Sequence, residues 1–397
     1  MKAVMNSGSK ILVAGASGMV GSAIIRALIQ KGYTNIIGSY HSRKPDPSLL
    51  VPENWHILSQ DSDTLRITPH SSPSYAPEDS QKLFLRNLDL TNQHQVSDFF
   101  QETKPDYVFL AAAKVGGIIA NTLYRAEFIH DNLLIASNTI HQSYLAGVKK
   151  LLNLGSTCIY PRDCSQPMQE DHLLTGPLEY TNEPYAVAKI AGLKLCESYN
   201  LQYGTNFISA MPTNLYGPGD NFDLQKSHVI PALMRKIHLA KLLEDGKWQD
   251  VLSDLNQNTQ DQAQAILDPF GISAKNVEIW GTGTPMREFL WSEDMADACV
   301  FILDNVDFTD LAREKQEVRN THINIGSGEE VSIADLARKI QKIVGFTGEL
   351  TFNTDKPDGT PRKLTDVSKL HGLGWKHTIN LDQGLERIYQ WYLSTTT

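Results

Sequence analysis

The feature that most constrains this chain is a short apolar run that stops on three evenly spaced glycines. Lys10 to Ala14 reads as a strand, and Gly15, Gly18 and Gly21 follow at once. Val20, Ile24, Ile25, Leu28 and Ile29 then recur at the spacing of one helix face. Strand, glycine turn and helix make a βα unit. Glycine lets the backbone bend tightly and approach a pyrophosphate, which then sits at the positive end of the helix. Tight turns need glycine for other reasons, so a glycine triplet alone is a weak signal. Its register at the start of a βα unit makes Gly15, Ala16, Ser17, Gly18, Met19, Val20 and Gly21 the candidate nucleotide loop.

The alternation continues. Strands are expected at Asn35–Ser39, Leu85–Leu90, Tyr107–Ala111, Lys150–Leu154 and Phe207–Ala210, with amphipathic helices between them. On the helix after Gly117, Ile129, Leu133, Ile135 and Ile140 are expected to point inward. Asn132 there is either a core group satisfied by backbone or part of a proton path. The fold class that follows is α/β: a Rossmann-type doubly wound parallel sheet with a smaller C-terminal α/β domain. The 397 residues suit two domains, about 1–217 and 218–397, with later segments free to return to the first. Two stretches read as insertions. One, about 45–81, is rich in Pro, Ser and Asp and is expected to carry one or two short elements outside the core. The other, about 239–275, is polar and partly helical.

A nicotinamide-type fold that prefers a free ribose usually ends its second strand with Asp or Glu. Here the chain continues Tyr40, His41, Ser42, Arg43, Lys44, which suits a 2′-phosphate and so NADP(H); a solvated loop is the competing explanation. Asp89, at the end of the third expected strand, is placed to contact an adenine.

The chemistry concentrates between Gly155 and Lys189. Tyr185 and Lys189 are four apart, so on a helix both rise from one face. A nearby ammonium lowers a phenol's pKa from about 10 and makes its proton easier to transfer. Ser156, at a strand end upstream, can hold a substrate oxygen for that proton. Such a Tyr–Lys spacing is common by chance; the serine before it and the glycine loop at the front of the chain give it weight.

Net charge is −9, so no global basic field argues for nucleic acid. Cys158, Cys164, Cys196 and Cys299 are sparse and lack zinc spacing, so neither a metal site nor a disulfide framework is expected. No apolar run is long enough for a membrane span, and Met1–Lys10 leads straight into a strand rather than reading as a signal peptide; a cytoplasmic location is the expectation.

With these residues in place the chain resembles the extended short-chain dehydrogenase/reductase superfamily and, within it, the GDP-L-fucose synthase family. The narrower match rests on Ala111–Gly117, Ser156–Pro161, Thr181–Tyr185, Met211–Pro218, Ser227–Pro231, Trp280–Leu290 and Lys356–Lys363. The resemblance implies 3,5-epimerisation and NADPH-dependent 4-reduction of GDP-4-keto-6-deoxy-D-mannose. By that likeness Cys158 is the base and His228 the acid of epimerisation. Ser156 and Tyr185 polarise and protonate the 4-oxygen, and Lys189 binds the nicotinamide ribose. It further implies cofactor contacts from Leu154, Gly155, Ser156, Thr157, Tyr185, Lys189, Pro212, Thr213, Asn214, Leu215 and His228, besides Arg43 and Asp89. Substrate contacts fall on Lys236, Trp280, Arg287 and Asp358, and a homodimer forms on the helices near Asn132 and Tyr185. Taken alone, Cys158 is equally a buried small hydrophobe, His228 a helix-start residue bonded to backbone, and Trp280 a core side chain.

Two departures stand out. The family often has a basic residue where Ser17 stands, so the 2′-phosphate contact falls to Arg43 or Lys44; Thr157 replaces a frequent serine. The insertions have no counterpart in the family pattern. The nearest rival activities are a nucleotide-sugar 4-epimerase or 4,6-dehydratase. A dehydratase is disfavoured because Thr157 and Cys158 stand where it needs an acid–base carboxylate pair. A non-catalytic NADP-binding scaffold is disfavoured because both Tyr185 and Lys189 are present.

Overall fold

A computed structural model describes residues 4–70, 81–313 and 315–396. The expected alternation is there. β1 (Ile11–Ala14) leads into α1 (Met19–Gln30), then β2 (Asn35–Tyr40), α2 (Pro47–Leu50), β3 (Trp55–Gln60), β4 (Thr64–Pro69) and β5 (Gln81–Asn87). α3 (Gln93–Thr103), β6 (Tyr107–Leu110), α4 (Ile118–Leu123), α5 (Arg125–Leu145), β7 (Lys150–Leu154), α6 (Glu183–Tyr203) and β8 (Phe207–Pro212) follow. The remainder holds β9 (Asn214–Tyr216), α7 (Val229–Glu244), α8 (Trp248–Leu255), α9 (Gln260–Leu267), β10 (Asn276–Trp280), β11 (Met286–Trp291) and α10 (Ser292–Asn305). It ends with α11 (Phe308–Ala312), β12 (Ile323–Ile325), β13 (Glu330–Ser332), α12 (Ile333–Val344), β14 (Glu349–Asn353), β15 (Arg362–Lys363), α13 (Ser368–Gly372) and α14 (Leu381–Thr396).

The main sheet runs β12-β8-β7-β6-β1-β2-β5-β4-β3. It is parallel from β12 to β5, and β4 and β3 are antiparallel additions at one edge. Period-two alternation sorts each central strand between two layers. Ile11 and Val13 pack into a core shared with α1 and α10, and Leu12 and Ala14 into one shared with α3, α5 and α6. Because β2 and β6 flank β1 on opposite sides, the chain reverses direction there and opens a crevice beyond the strand ends. A separate core around α7, α12 and α14 holds the second lobe together. The two small sheets there are β10-β14, and β13-β11-β15 with β9 joined to β11.

Three expectations change. The 45–81 stretch is no appendage: β4 pairs with β5, and Leu50, Leu65 and Ile67 are fully buried in the first core. Its Pro- and Ser-rich composition hid the alternation of Leu65 and Ile67, two residues apart on one strand face. Residues 71–80 of that stretch lie outside the described residues. The 239–275 stretch is likewise built in. α7 continues to Glu244, and Val251 with Leu255, and Ala263 with Leu267, are i,i+4 pairs buried in the second core. On α5 the buried face is Phe128, Asn132, Ala136, Thr139, Ile140 and Ser143, whereas Ile129, Leu133 and Ile135 are only partly covered. Polar residues occupy the core stripe of this helix, so its apolar phase misleads. Asn132 takes the role of a satisfied core group: its Nδ2 donates to the carbonyls of Phe128 (2.7 Å) and Lys114 (3.0 Å), and its Oδ1 accepts the Lys114 N–H.

Candidate active site

The glycine loop crosses the crevice at the end of β1. Gly15 has φ +97°, and a side chain there would stand 2.8 Å from the backbone of Ala112; one on Gly21 would lie 2.1 Å from the Gly15 carbonyl oxygen. Neither position tolerates a Cβ. α1 then begins at Gly18 with no side-chain cap, and Ser17 and Gly18 are exposed. Its first N–H groups therefore face the crevice without a protein partner from any capping side chain, which fits a dinucleotide pyrophosphate.

Beyond β2, Lys44 donates to the Ser62 carbonyl in the β3–β4 turn, while Arg43 stays exposed. Asp89 accepts from the N–H (2.9 Å) and hydroxyl (2.7 Å) of Thr91 and faces His41 at 3.9 Å. These bonds hold its carboxyl below the usual range even against partial burial. On the other side of the crevice, β8 and β9 bring Pro212, Thr213, Asn214 and Leu215 to the strand ends. The Thr213 N–H donates to Ile325 and Asn214 Nδ2 to the Glu288 carbonyl.

Leu154 ends β7 and Gly155 leads into a single 3-10 turn at Thr157–Ile159. Ser156 caps that turn, its Oγ accepting the Cys158 N–H at 3.2 Å. The turn is anchored from below by Tyr160, whose buried hydroxyl meets His322 Nε2 at 2.9 Å and Asn324 Oδ1. α6 delivers Tyr185 and Lys189 to the same place. Ser156 lies close enough to the Tyr185 phenol to draw its pKa down. The Lys189 ammonium donates to the Leu154 carbonyl at 2.8 Å and lies 5.7 Å from the centre of the Tyr185 ring.

The electrostatics correct one expectation. Burial pushes the Tyr185 phenol up, the neighbouring Cys158 adds to that, and Ser156 pulls only partly back. Burial also draws the Lys189 ammonium down to about 8. Lys189 spends its nearest contact on a backbone carbonyl rather than on the phenol oxygen, so no lowering of the tyrosine by the lysine results. Desolvation outweighs the attraction in this geometry.

Cys158 is half-buried and free. Its sulfur has two partners that the sequence reading did not name: Asn182 Nδ2 at 3.6 Å and Lys363 Nζ at 4.0 Å. Asn182 is fixed through Glu179, whose carboxylate accepts the Thr181 and Asn182 N–H groups and the Thr181 hydroxyl. Both residues lie inside strings quoted above; their position three before Tyr185 and at the end of the Lys356–Lys363 string was the available signal. Cys158, Glu179, Arg362 and Lys363 line one narrow recess.

His228 caps α7 by its backbone only; its side chain makes no capping hydrogen bond and is exposed. It acts electrostatically on Asp220, whose Oδ2 is buried with no hydrogen-bond partner among the described residues. Burial raises that carboxyl to about 6. No hydrogen bond among the described residues joins His228 to Cys158 or Tyr185.

In the second lobe Trp280 is 46% exposed, which removes it from the core. The ammonium groups of Lys356 and Lys236 lie 5.3 and 5.7 Å from its ring. Lys236 itself is buried and bonded to the carbonyls of Phe270 and Glu278, and burial draws it down to about 8. Arg287 donates Nη1 to the carbonyls of Met286 and Thr360. Asp358 is committed to the N–H and hydroxyl of Thr282. Among the described residues there is no cluster of three His, Cys, Asp or Glu able to hold a metal, and no helix long and apolar enough to cross a membrane.

Residues 11–326 match the model of the NAD dependent epimerase/dehydratase family. The chain is 44% identical over 393 residues to GDP-L-fucose synthase 1 of Arabidopsis thaliana, covering 99% of this chain and 96% of that one. Among solved structures it is similar to a GDP-6-OMe-4-keto-L-xylo-heptose reductase from C. jejuni, with TM-score 0.84, 43% identity and 99% of each chain covered. It is also similar to MlghC, a GDP-mannoheptose C4 reductase from Campylobacter jejuni with NADP bound. There the TM-score is 0.79 and the identity 43%, over 98% of this chain and 99% of that one.

Proposed function

The chain belongs to the NAD dependent epimerase/dehydratase family, and on that premise we propose that it inverts C3 and C5 of GDP-4-keto-6-deoxy-D-mannose and reduces C4, giving GDP-L-fucose. It is an epimerase/reductase of the extended short-chain dehydrogenase type that acts on GDP-sugars. The observation that carries the fuller reading is the grouping of Cys158 with Lys363 and Asn182 beside the Ser156–Tyr185 pair. Removal of a carbon-bound proton needs a base such as a thiol beside an ammonium, which hydride delivery alone does not require.

The 4-keto group acidifies the protons on both neighbouring carbons. Cys158 removes each in turn as thiolate, with the Lys363 ammonium and the Asn182 amide beside its sulfur. His228, across the crevice, returns a proton to the opposite face. Ser156 and Tyr185 hold the 4-oxygen throughout, and Tyr185 gives it a proton on reduction. NADPH, when bound, supplies the hydride that reduces C4. The glycine loop and the start of α1 hold its pyrophosphate, Arg43 its 2′-phosphate and Lys189 its nicotinamide ribose. Trp280 offers a face to the guanine, with Lys236, Arg287 and Asp358 beside it. The enzyme works in the cytoplasm as a homodimer joined through α5 and α6.

A second reading, 4-reduction of a GDP-heptose without inversion, is favoured by the likeness to the C. jejuni reductases. The test is incubation with GDP-4-keto-6-deoxy-D-mannose and NADPH in deuterated water, with the product identified by NMR. GDP-L-fucose carrying deuterium at C3 and C5 is the expected result. A product reduced at C4 without inversion supports the second reading and leaves Cys158 and His228 without a proton-transfer role.

A further inference from the structure

Glu288 is fully buried, with none of its surface exposed, yet the chemistry above gives it no task. Its carboxylate accepts the Gly328 N–H at 2.7 Å and the Thr365 N–H at 2.9 Å, and the Ser327 hydroxyl lies at 3.5 Å. Its backbone carbonyl accepts from Asn214 Nδ2 at 2.9 Å. A side chain on Gly326 would stand 2.2 Å from Glu288 Oε1, so the loop after β12 is shaped around the carboxylate. Three segments meet on one residue: the ends of β8 and β9, the loop after β12, and the strand that carries Lys363.

The last of these matters for Cys158. β15 lies parallel to β11 with Arg287 opposite Lys363, and one residue further along β11 the Glu288 carboxylate takes the Thr365 N–H. From the other side, Leu364 is bonded to Gln166 Oε1 and to the Met168 N–H, in the loop that follows the Cys158 turn. Lys363 is thus held between Glu288 and the 166–168 loop, with its ammonium 4.0 Å from the Cys158 sulfur. A buried carboxylate is costly unless its hydrogen bonds are worth having, and an apolar residue here would orphan two backbone donors. Burial pushes the Glu288 carboxyl up while these donors pull it back.

We propose that Glu288 is the positioning residue that fixes Lys363 against Cys158 and so sets how readily that thiol reacts. This rests on the assignment of Cys158 as the proton-removing base, but its test needs no substrate. The other charged and titratable groups around Cys158 are Tyr185, Tyr160, Arg162, Glu179 and Arg362; none of them is altered by the variants.

The rate of Cys158 alkylation by iodoacetamide is measured against pH on the full chain, with peptide mass spectrometry to count Cys158 separately from half-buried Cys164. Lys363→Met is expected to slow the reaction at pH 7 by about tenfold, with the loss closing at high pH where any thiol is ionised. Glu288→Gln is expected to do the same, because its amide offers only one acceptor for two N–H groups. Gly326→Ala, which displaces the carboxylate without removing it, is expected to slow the reaction at pH 7 in the same way. The Glu288→Gln/Lys363→Met pair is expected to match Lys363→Met alone. An unchanged profile in folded Glu288→Gln or Gly326→Ala overturns the proposal, as does an additive double variant. If neither Glu288→Gln nor Gly326→Ala folds, Glu288 serves stability and the proposal is rejected. A shifted profile together with normal C3 and C5 exchange in Cys158→Ser would instead sink the base assignment and leave the positioning role standing.

Discussion

Ser156, Tyr185 and Lys189 come from one βα unit: the Lys189 ammonium reaches a carbonyl 35 residues back along the chain. Cys158, two residues after Ser156, is met instead by an ammonium 205 residues away, and His228 stands on the first residue before α7. The Ser156–Tyr185–Lys189 group is thus local, set on a strand end and a helix of the main sheet. The Cys158–Lys363 contact is assembled from distant segments and depends on a two-residue strand staying in register; on the proposed function the first serves reduction and the second epimerisation. A proton donor for hydride transfer can be built once into a fold, whereas proton transfer at two carbons needs groups on both faces of the sugar and must recruit the second lobe.

Substitutions can break this division. Cys158→Ser is expected to slow deuterium exchange at C3 and C5 by on the order of 10²–10⁴. Reduction of a 4-keto sugar already inverted at both carbons should stay within a few-fold, as followed by NADPH absorbance. Equal losses in both assays would dissolve the distinction between the two sides.

The reduction side should show its own titration. The Lys189 ammonium is depressed to about 8 and is lost as pH rises through that value. The reductive kcat/KM for NADPH is therefore expected to fall about tenfold per pH unit above 8. Lys189→Arg, charged throughout, should lose that limb; a limb that persists would assign it to another group such as Lys236.

Trp280→Ala tests the second lobe as a binding surface rather than a reacting one. KM for the GDP-sugar is expected to rise about tenfold with kcat little changed, since the ring contributes equally in ground and transition states. A fall in kcat at constant KM would move Trp280 into the chemistry.

The smallest expected effect is on stability. Asp220 has a folded pKa of about 6, above that of an unfolded carboxylate. Its favourable contribution is therefore present below pH 4 and lost as pH rises through 6. Asp220→Asn is expected to be more stable than the parent by about 1 kcal/mol at pH 7 and no different below pH 4, by urea denaturation at both values. A constant difference across that range would remove the burial argument.

The same contrast explains what could be read from the residues alone. The βα start, the strand–helix alternation and the Tyr185–Lys189 pair follow from local spacing, so they were legible. Leu65 and Ile67 were obscured by the Pro- and Ser-rich composition around them, and α5 by polar residues on its buried stripe. The Lys363–Cys158 contact and the Glu288 joint depend on pairing between distant segments, which no periodicity encodes. The pKa direction of Tyr185 needed the burial of its phenol, which spacing does not report.

The most direct measurement is deuterium uptake by GDP-4-keto-6-deoxy-D-mannose on Tyr185→Phe enzyme with NADPH present, followed by NMR alongside NADPH absorbance. Separate walls around one sugar predict that deuterium enters C3 and C5 while NADPH oxidation falls on the order of 10²–10⁴. Loss of exchange together with reduction in a folded variant would contradict that division, and make the phenol part of a single proton-transfer unit with Cys158.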